Sequence, residues 1–327
     1  MRKALHSILV ITLIVLGALF LVGKYHFLLG SLLGLFQWPI IIIAGLILWR
    51  KRKTGLKNIH KILLVVTTLL LLNWGYEQAR RIGFEGVAGT EKEVSILTYN
   101  LFFKNTYPQQ ILNEINSTDA DILIVQELTS KWNDHLSRQV YSKYPFRKTY
   151  IHNGTHGLGI LSKYPIRSCT YLKNGRGLPV SQISAFLING KELVVANSHF
   201  ASPAIAVENP ENFFSLYQQN FHTRNEQWES LQGYLQENHL GVPQVVSGDL
   251  NTMKIDPLYR EIRYTWKDLH AGKGTGLGWN FPNVSRVPFP LITLDYILYR
   301  GNIKPLESKV LPGSSSDHLA IFGRIEL

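Results

Sequence analysis

Three apolar runs dominate the first 76 residues, and they strongly limit what this part of the chain can fold into. Residues 7–23 and 27–49 contain no Asp, Glu, Lys or Arg. The third run, at residues 58–76, is uncharged from Ile62 onward and is long enough only if Lys61 extends to the bilayer interface. A helix needs ~20 apolar residues to cross a bilayer core. We therefore expect an N-terminal bundle of about three transmembrane helices, followed by a linker at residues 77–93.

Charge is concentrated near the N-terminus. Residues 1–61 hold nine Lys or Arg and no Asp or Glu, whereas the remaining residues hold 25 basic and 23 acidic side chains. Loops rich in Lys and Arg stay in the cytoplasm, and basic residues precede the first run and fill residues 50–61. We therefore expect a multi-pass protein of the cell membrane, held by its N-terminal helices in the lipid bilayer. The large C-terminal part would then lie on the extracytoplasmic side, provided that the short third helix crosses.

The C-terminal part is close to neutral and lacks the excess of basic residues typical of nucleic-acid binders. Its composition therefore does not favour a broad basic groove for DNA. Cys169 is the only cysteine, which excludes an intramolecular disulfide. No feature of the sequence indicates a protein partner.

From Val94 onward, short apolar runs alternate with polar segments. Apolar runs of about four to eight residues, bounded by polar residues, are typical of strands. The strand candidates are residues 94–103, 121–128, 158–164, 183–190, 192–200, 244–251, 294–300 and the C-terminal tail, and the helix candidates are residues 109–117 and 223–238. Strands mixed with helices over residues 94–327 predict one α/β domain.

Several strand candidates end in polar side chains that can bind a metal ion or a phosphate. Each of these residues alone is explained as a helix cap, a turn or a half-buried polar group. Their shared position after buried strands favours a common site, because functional groups collect where loops follow a rigid sheet. The residues are Asn100, Glu127, His199, Asp249, Asn251 and the adjacent pair Asp317 and His318.

The ordered motifs TYN, QEL, GILSKYPI, NSHF, SGDLN, LDYIL and SSDH resemble the endonuclease/exonuclease/phosphatase superfamily. This superfamily includes deoxyribonuclease I-like nucleases, apurinic endonucleases, bacterial sphingomyelinases and inositol-polyphosphate phosphatases. The resemblance runs from about Val94 to the C-terminus and implies a four-layer sandwich of two packed β-sheets flanked by helices. The family often has Thr-His-Leu where this chain has Ser198–Phe200, but His199 is retained.

The resemblance also implies a metal site. Glu127 is similar to the family's principal Mg²⁺ ligand, Asn100 would lie beside it, and Asp317 would approach the same ion directly or through water. Carboxylate and amide oxygens are the ligands that Mg²⁺ prefers in proteins. Mn²⁺ is the alternative ion.

Five further residues are similar to the family's catalytic groups. Asp249 would orient or deprotonate the attacking water, while Asn251 and His199 would hold phosphate oxygens. His318 would donate to the phosphate or share the role of base, and Asp295 would fix the tautomer of His318. The chemistry implied is in-line attack of water on a phosphate ester, with the metal stabilising the leaving oxygen.

The sequence therefore predicts a membrane-anchored, Mg²⁺-dependent phosphoesterase that hydrolyses phosphodiester bonds. Its substrate would be nucleic acid or a phospholipid head group, and the sequence does not separate the two. A phosphomonoesterase of the same fold and a non-catalytic membrane receptor on a degenerate fold are the alternatives. Residues 102–107 and 175–178 are candidate loops for substrate contact, although solvated turns explain them equally well.

Overall fold

The computed structural model describes residues 2–23, 40–51, 57–79, 93–283, 290–313 and 315–327. The chain forms two compact units. One comprises Met1–Glu85 and Ile255–Glu261, and the other comprises Gly86–Lys254 and Ile262–Leu327.

The N-terminal unit is helical, with α1 (Arg2–Gly23), α2 (residues 40–51) and α3 (Asn58–Ala79). Val10, Leu63 and Leu70 are fully buried among other apolar side chains of the three helices. Gly17 allows α1 and α3 to approach, because a Cβ there would lie 2.5 Å from a methyl carbon of Val66.

The three transmembrane helices predicted from the sequence are not supported. Within the described residues, no helix combines the length and the apolar character that crossing a membrane requires. The first and third predicted ranges do fold as helices α1 and α3. Residues 27–39 of the second range and residues 80–92 of the predicted linker lie outside the described residues.

The C-terminal unit contains two mixed six-stranded sheets. The first has the order β11-β12-β1-β2-β4-β3 and the second has the order β5-β6-β7-β8-β10-β9. The strands are β1 (Glu93–Asn100), β2 (Ile122–Gln126), β3 (Phe146–Tyr150), β4 (Leu158–Ser162), β5 (Ile166–Lys173), β6 (Pro179–Ile188), β7 (Lys191–His199), β8 (Gln244–Asp249), β9 (Lys267–Asp268), β10 (Asp295–Arg300), β11 (Lys304–Val310) and β12 (Ile321–Glu326).

The described residues after β1 also form six α-helices, of which α8 begins within the segment Ile255–Glu261 of the first unit. They are α4 (Pro108–Thr118), α5 (Ser130–Gln139), α6 (Ala204–Glu208), α7 (Phe213–Asn238), α8 (Pro257–Thr265) and α9 (Leu269–Lys273). The helix candidate at residues 223–238 is thus correct in its C-terminal part, but the helix begins at Phe213.

Alternation along the strands explains why the sheets pack face to face. Ile96 of β1 contributes to a core that also contains side chains of β7 and β8, whereas the next residue, Leu97, packs with the apolar faces of α4 and α5. On the side of the second sheet, Trp228 of α7 packs edge-on against Trp266, with ring centroids 5.9 Å apart. Two packed sheets flanked by helices are therefore confirmed.

Four strands have no counterpart among the strand candidates: β3, β5, β9 and β11. They are the outermost strands of the two sheets. Edge strands carry polar side chains that discourage pairing with other chains. Such strands therefore lack the apolar run by which a strand is predicted from the sequence. All five residues of β3, for example, are exposed or half-buried.

Two pairs of parallel strands carry the predicted site residues. In the first sheet, β1 and β2 run parallel and pair Asn100 with Gln126, directly before Glu127. In the second sheet, β7 and β8 run parallel and pair His199 with Asp249. Strand β10 runs antiparallel to β8, so that its first residue, Asp295, lies opposite Asp249. The carboxyl ends of the two parallel pairs therefore carry most of the candidate site.

Gly248 is required for the close approach of β7 and β8, and its replacement by Ala is expected to destabilise the fold. Its φ is +127°, and a Cβ would lie 2.2 Å from the carbonyl oxygen of Ser198. We expect Gly248→Ala to lower the free energy of unfolding by at least about 2 kcal/mol, measured by urea denaturation. Gly190→Ala is the matched control, because Gly190 also has a positive φ but nothing lies within 4 Å of its Cβ position. Equal losses in both variants would show that the contact with Ser198 is unimportant.

Candidate active site

Asn100 and Glu127 form the first half of the site. Asn100 donates from Nδ2 to Glu127 Oε1 at 3.4 Å and to Asp249 Oδ2 at 3.2 Å. Its Oδ1 accepts the backbone N–H of Phe102 at 3.1 Å, and Glu127 Oε2 accepts the backbone N–H of Phe103 at 2.7 Å. In this arrangement Asn100 orients two carboxylates through its nitrogen, and its role as a metal ligand stays a prediction.

His199 enters the site from the end of β7. Its Nδ1 lies 2.8 Å from the carbonyl oxygen of Thr155 and therefore carries the proton that this bond requires. The other ring nitrogen, Nε2, is consequently turned toward the carboxylates, 3.5 Å from Asp249 Oδ2 and 4.0 Å from Glu127 Oε1. The backbone of the β3–β4 loop thus fixes the orientation of this imidazole.

Asp249 occupies the centre of the site and is almost fully buried. Its Oδ1 accepts the backbone N–H of Asn251 at 2.9 Å, which leaves Oδ2 to face the other polar groups. Burial raises the pKa of Asp249, and the charge of Asp295 adds to this effect, while His318 and His199 lower it. A carboxyl with a raised pKa is better matched to accepting a proton from water than an ordinary aspartate.

His318 and Asp295 form a buried hydrogen-bonded pair. His318 Nδ1 lies 2.7 Å from Asp295 Oδ2, and His318 Nε2 lies 3.7 Å from Asp249 Oδ2. Burial lowers the pKa of His318, but the negative charges of Asp295 and Asp249 outweigh burial and raise this pKa to about 10. The ring of Phe281 packs against the imidazole with centroids 4.7 Å apart. The pair therefore presents a positively charged Nε2–H to the site.

Asp317 precedes His318 in the loop between β11 and β12. Burial raises its pKa, and so do the negative charges of Glu127 and Asp249, although His318 acts in the opposite direction. The neighbouring Ser316 donates from Oγ to the carbonyl oxygen of Asn100 at 2.7 Å, which ties this loop to the end of β1. The charge of Glu127 therefore acts on Asp317, and the joint role of these two residues as metal ligands stays a prediction.

Asn251 is in place, but its amide nitrogen is already used. Its Nδ2 donates to the carbonyl oxygen of Phe200 at 3.0 Å, and the residue itself is buried. Its contact with a phosphate oxygen, which the sequence predicts, therefore stays a prediction.

Backbone strain coincides with the site. Of the five described non-glycine residues with positive φ, three are Phe102 (58°), Glu127 (60°) and Asn251 (49°). This conformation costs about 1–2 kcal/mol for an L-residue and persists where surrounding structure enforces it. The strain at Glu127 turns the chain directly after β2, and this turn places the carboxylate beside the N–H of Phe103.

Polar residues behind the site, which sequence reasoning missed, hold the two sheets in register. Gln126 donates from Nε2 to Asn197 Oδ1 at 2.8 Å, and Asn197 donates from Nδ2 to the carbonyl oxygen of Val125 at 2.9 Å. Asn280, also missed, accepts the backbone N–H of Leu294 at 2.9 Å and so supports the start of β10. In the sequence, only the amide side chain of Gln126, directly before Glu127, could have suggested that a residue supports the site from behind.

The donor set suits a divalent cation. Among the described residues, the ligand atoms of Asp249, Asp295 and His318 lie within 4.8 Å of one another. The bond between Asp295 and His318 already uses one atom of each residue, so this group fits a proton-holding pair better than a metal site. Glu127 and Asp317 instead offer carboxylates that repel each other, and a hard cation between them would relieve this repulsion.

The chain is similar to known proteins in its sequence profile and in its fold. A profile of the Endonuclease/Exonuclease/phosphatase family matches residues 97–318, whereas no curated protein matches the chain. The solved structure of D. rerio TDP2 complexed with a single-stranded DNA product has a TM-score of 0.59 at 15% identity, covering 72% of this chain and 100% of its own. The endonuclease/exonuclease/phosphatase from Bacteroides vulgatus has a TM-score of 0.57 at 16% identity, with the same two coverages.

The similarity to these two structures shows the fold, and the family profile spans more than half of the chain. The first and last matched residues enclose Asn100 and His318, so all eight predicted site residues lie inside the matched range. The chain belongs to the endonuclease/exonuclease/phosphatase family.

Proposed function

We propose that this hydrolase of phosphate esters is a divalent-metal-dependent phosphodiesterase that uses a water molecule as nucleophile. One observation carries the proposal: Asp249 Oδ2 lies 3.2 Å from Asn100 Nδ2, 3.5 Å from His199 Nε2 and 3.7 Å from His318 Nε2. A carboxylate surrounded by nitrogens at these distances can hold a water on one side while the nitrogens hold a phosphate on the other. The site thus supplies a base and anion-binding donors together.

Glu127 and Asp317 would hold the metal ion. Glu127 is 8% exposed, and one of its oxygens is already fixed by the N–H of Phe103. Mg²⁺ binds through one or two protein carboxylates and keeps several waters, which matches this small donor set. When bound, the ion would stabilise negative charge on the phosphate and on the leaving oxygen.

Asp249 would take the proton of the attacking water. Its Oδ1 is held by the N–H of Asn251, so the carboxylate cannot turn away from the site. Water oxygen would form the new bond to phosphorus while the bond to the leaving oxygen breaks. No covalent intermediate with the protein is required.

His318, and His199 when both of its ring nitrogens carry a proton, would stabilise the charge that develops on the phosphate. Each imidazole is held from behind through Nδ1, by Thr155 and by Asp295 respectively, and each therefore points Nε2 into the site. Donors fixed before the reaction cost no reorganisation in the transition state. This assigns His318 to charge stabilisation and leaves Asp249 as the base.

The D. rerio TDP2 structure holds a single-stranded DNA product, which supports a nucleic-acid phosphodiester as the first substrate to test. The near-neutral charge of residues 62–327 does not favour a long duplex. Phospholipid diesters and phosphomonoesters are therefore included as alternative substrates.

Activity should require a divalent metal, and Glu127 should set its affinity. We expect Mg²⁺ or Mn²⁺ to restore hydrolysis of plasmid DNA, sphingomyelin or bis(p-nitrophenyl) phosphate after treatment with EDTA. Glu127→Gln should raise the Mg²⁺ concentration for half-maximal activity at least about tenfold. Glu192→Gln, an exposed change at the opposite end of β7, is the control and should behave as the wild type. Full hydrolysis of a substrate in EDTA would refute the proposal.

A further inference from the structure

The loop at residues 311–320, between β11 and β12, carries two of the predicted site residues, Asp317 and His318. It is attached to the end of β1 through Ser316, which is buried. Ser316 Oγ donates to the carbonyl oxygen of Asn100 at 2.7 Å and accepts the N–H of His318 at 3.2 Å. On this side, one hydroxyl therefore joins the loop to the first sheet.

The segment at residues 280–283 contacts the same loop through backbone atoms. The backbone N–H of Leu319 donates to the carbonyl oxygen of Asn280 at 2.9 Å. The backbone N–H of Asn283 donates to the carbonyl oxygen of Asp317 at 2.7 Å. These two bonds lie on either side of the histidine of the loop. They depend only on backbone atoms, so a change of side chain at either position would leave them in place.

The side chain of Asn283 adds two further bonds to this loop. Its Nδ2 donates to the carbonyl oxygen of Ser316 at 2.8 Å and to that of Gly313 at 3.2 Å. A side-chain amide nitrogen has two N–H donors, and both are used here. Asn283 is half-buried. One amide therefore links the beginning of the loop to the residue directly before Asp317.

The position of this loop matters for the proposed chemistry. His318 Nδ1 lies 2.7 Å from Asp295 Oδ2, and its Nε2 lies 3.7 Å from Asp249 Oδ2. Catalytic groups and metal ligands work only when they are held within about 0.5 Å of their productive positions. Because Asp317 and His318 are consecutive, a shift of the loop would displace both of them.

We propose that Asn283 is a positioning residue, which holds Asp317 for metal binding and His318 for charge stabilisation. This inference rests on the proposed phosphodiesterase function and on the metal role predicted for Asp317. Both amide donors of Asn283 are used by the loop, so the side chain acts through backbone carbonyls and not by binding the phosphate. Its amide thereby couples the affinity for the metal to the rate of hydrolysis.

Replacing Asn283 with Ala tests this coupling. We expect Asn283→Ala to raise the Mg²⁺ concentration for half-maximal activity about tenfold and to lower kcat at saturating Mg²⁺ about tenfold, as removal of groups that orient metal ligands does. KM for bis(p-nitrophenyl) phosphate should stay within about twofold, because the lost stabilisation belongs to the transition state. A purely structural role would lower kcat alone, since the molecules that stay folded would keep their affinity for Mg²⁺.

Two further variants separate the hydrogen bonds from other effects. Asn283→Asp keeps the size of the side chain but cannot donate to either carbonyl, so it should reproduce the lower kcat. Asn238→Ala is the control, because Asn238 Nδ2 also donates to a backbone carbonyl, that of Tyr234 at 2.9 Å, but on α7. It should behave as the wild type. Wild-type kinetics of both Asn283 variants, or a lower kcat of Asn283→Ala with unchanged Mg²⁺ dependence, would overturn the inference.

Hydrogen exchange connects the kinetic effect to the loop. The N–H groups of His318 and Leu319 are both hydrogen-bonded in the wild type. We expect peptides that cover residues 311–320 to lose protection in Asn283→Ala and to keep it in Asn238→Ala. Unchanged protection in Asn283→Ala would show that its amide does not hold the loop, which would also overturn the inference.

Failure of the proposed function is recognised separately. If the wild-type chain hydrolyses none of plasmid DNA, sphingomyelin and bis(p-nitrophenyl) phosphate with Mg²⁺ present, the proposed function fails. Calorimetric titration of the wild type and of Asn283→Ala with MgCl₂ then tests the positioning role without catalysis. Weaker Mg²⁺ binding by Asn283→Ala would support this role. Equal affinities, or no Mg²⁺ binding by the wild type, would overturn it.

Discussion

Replacing His318 with Gln is expected to lower kcat for diester hydrolysis by about 10²–10³-fold, the loss found when one fixed donor to a developing oxyanion is removed. His318 Nε2 lies 3.7 Å from Asp249 Oδ2, and the bond from Nδ1 to Asp295 at 2.7 Å fixes its direction. Glutamine can replace one hydrogen bond but not the positive charge. The measurement is steady-state kinetics with bis(p-nitrophenyl) phosphate at saturating Mg²⁺.

A loss of activity caused by unfolding of His318→Gln must be distinguished from a loss caused by removal of the charged donor. Removing His318 leaves Asp295 buried without its charged partner, and breaking a buried pair in this way costs about 3–5 kcal/mol. The double variant Asp295→Asn/His318→Gln removes the uncompensated charge and should regain much of this stability without regaining activity. His222→Gln, an exposed change on α7, is the control. Activity of His318→Gln within twofold of the wild type would contradict the assigned role.

The inner strands of the fold could be predicted from the sequence, whereas the edges could not. Strands β1, β2, β7 and β8 are almost fully buried and therefore appear as continuous apolar runs. The outermost strands face solvent and carry Lys, Arg, Ser and Glu, so the sequence contains no apolar run that marks them. Their positions are defined by hydrogen bonding to the neighbouring strand. The order of the strands in the sheets likewise depends on long-range pairing that no local pattern encodes.

The side chains of the candidate site could be named from the sequence because the motifs at strand ends specify side-chain types. The groups that orient these side chains could not be predicted, because they are largely backbone atoms. The carbonyl oxygen of Thr155 that orients His199, and the N–H of Phe103 that holds Glu127, belong to loops without a distinctive sequence. The direction of the Asn251 amide depends on the carbonyl of Phe200, which lies on another strand connection. Localisation at a membrane and the extracytoplasmic placement stay predictions.

Replacing Asp249 with Asn is expected to lower kcat by about 10²–10⁴-fold, because the amide cannot accept the proton of the attacking water. The substitution keeps the size of the side chain, and its oxygen can still accept the N–H of Asn251. Burial raises the pKa of Asp249, so the carboxyl becomes protonated at a higher pH than an ordinary aspartate. In the wild type, kcat/KM should therefore fall as the pH is lowered, beginning above the usual carboxyl range.

The pH profile distinguishes loss of the base from loss of a merely structural group. The acidic limb of the pH profile is the fall of kcat/KM at low pH. If Asp249 is the base, the residual activity of Asp249→Asn lacks this limb, because the group that titrates has been removed. Asp134→Asn, an exposed change on α5, should retain both the wild-type rate and the limb. If Asp249→Asn were slow but kept the same acidic limb, the proton would be taken by another group, and Asp249 would only position the donors around it. In that case His199, whose Nε2 lies 3.5 Å from Asp249, would be the next candidate for the base.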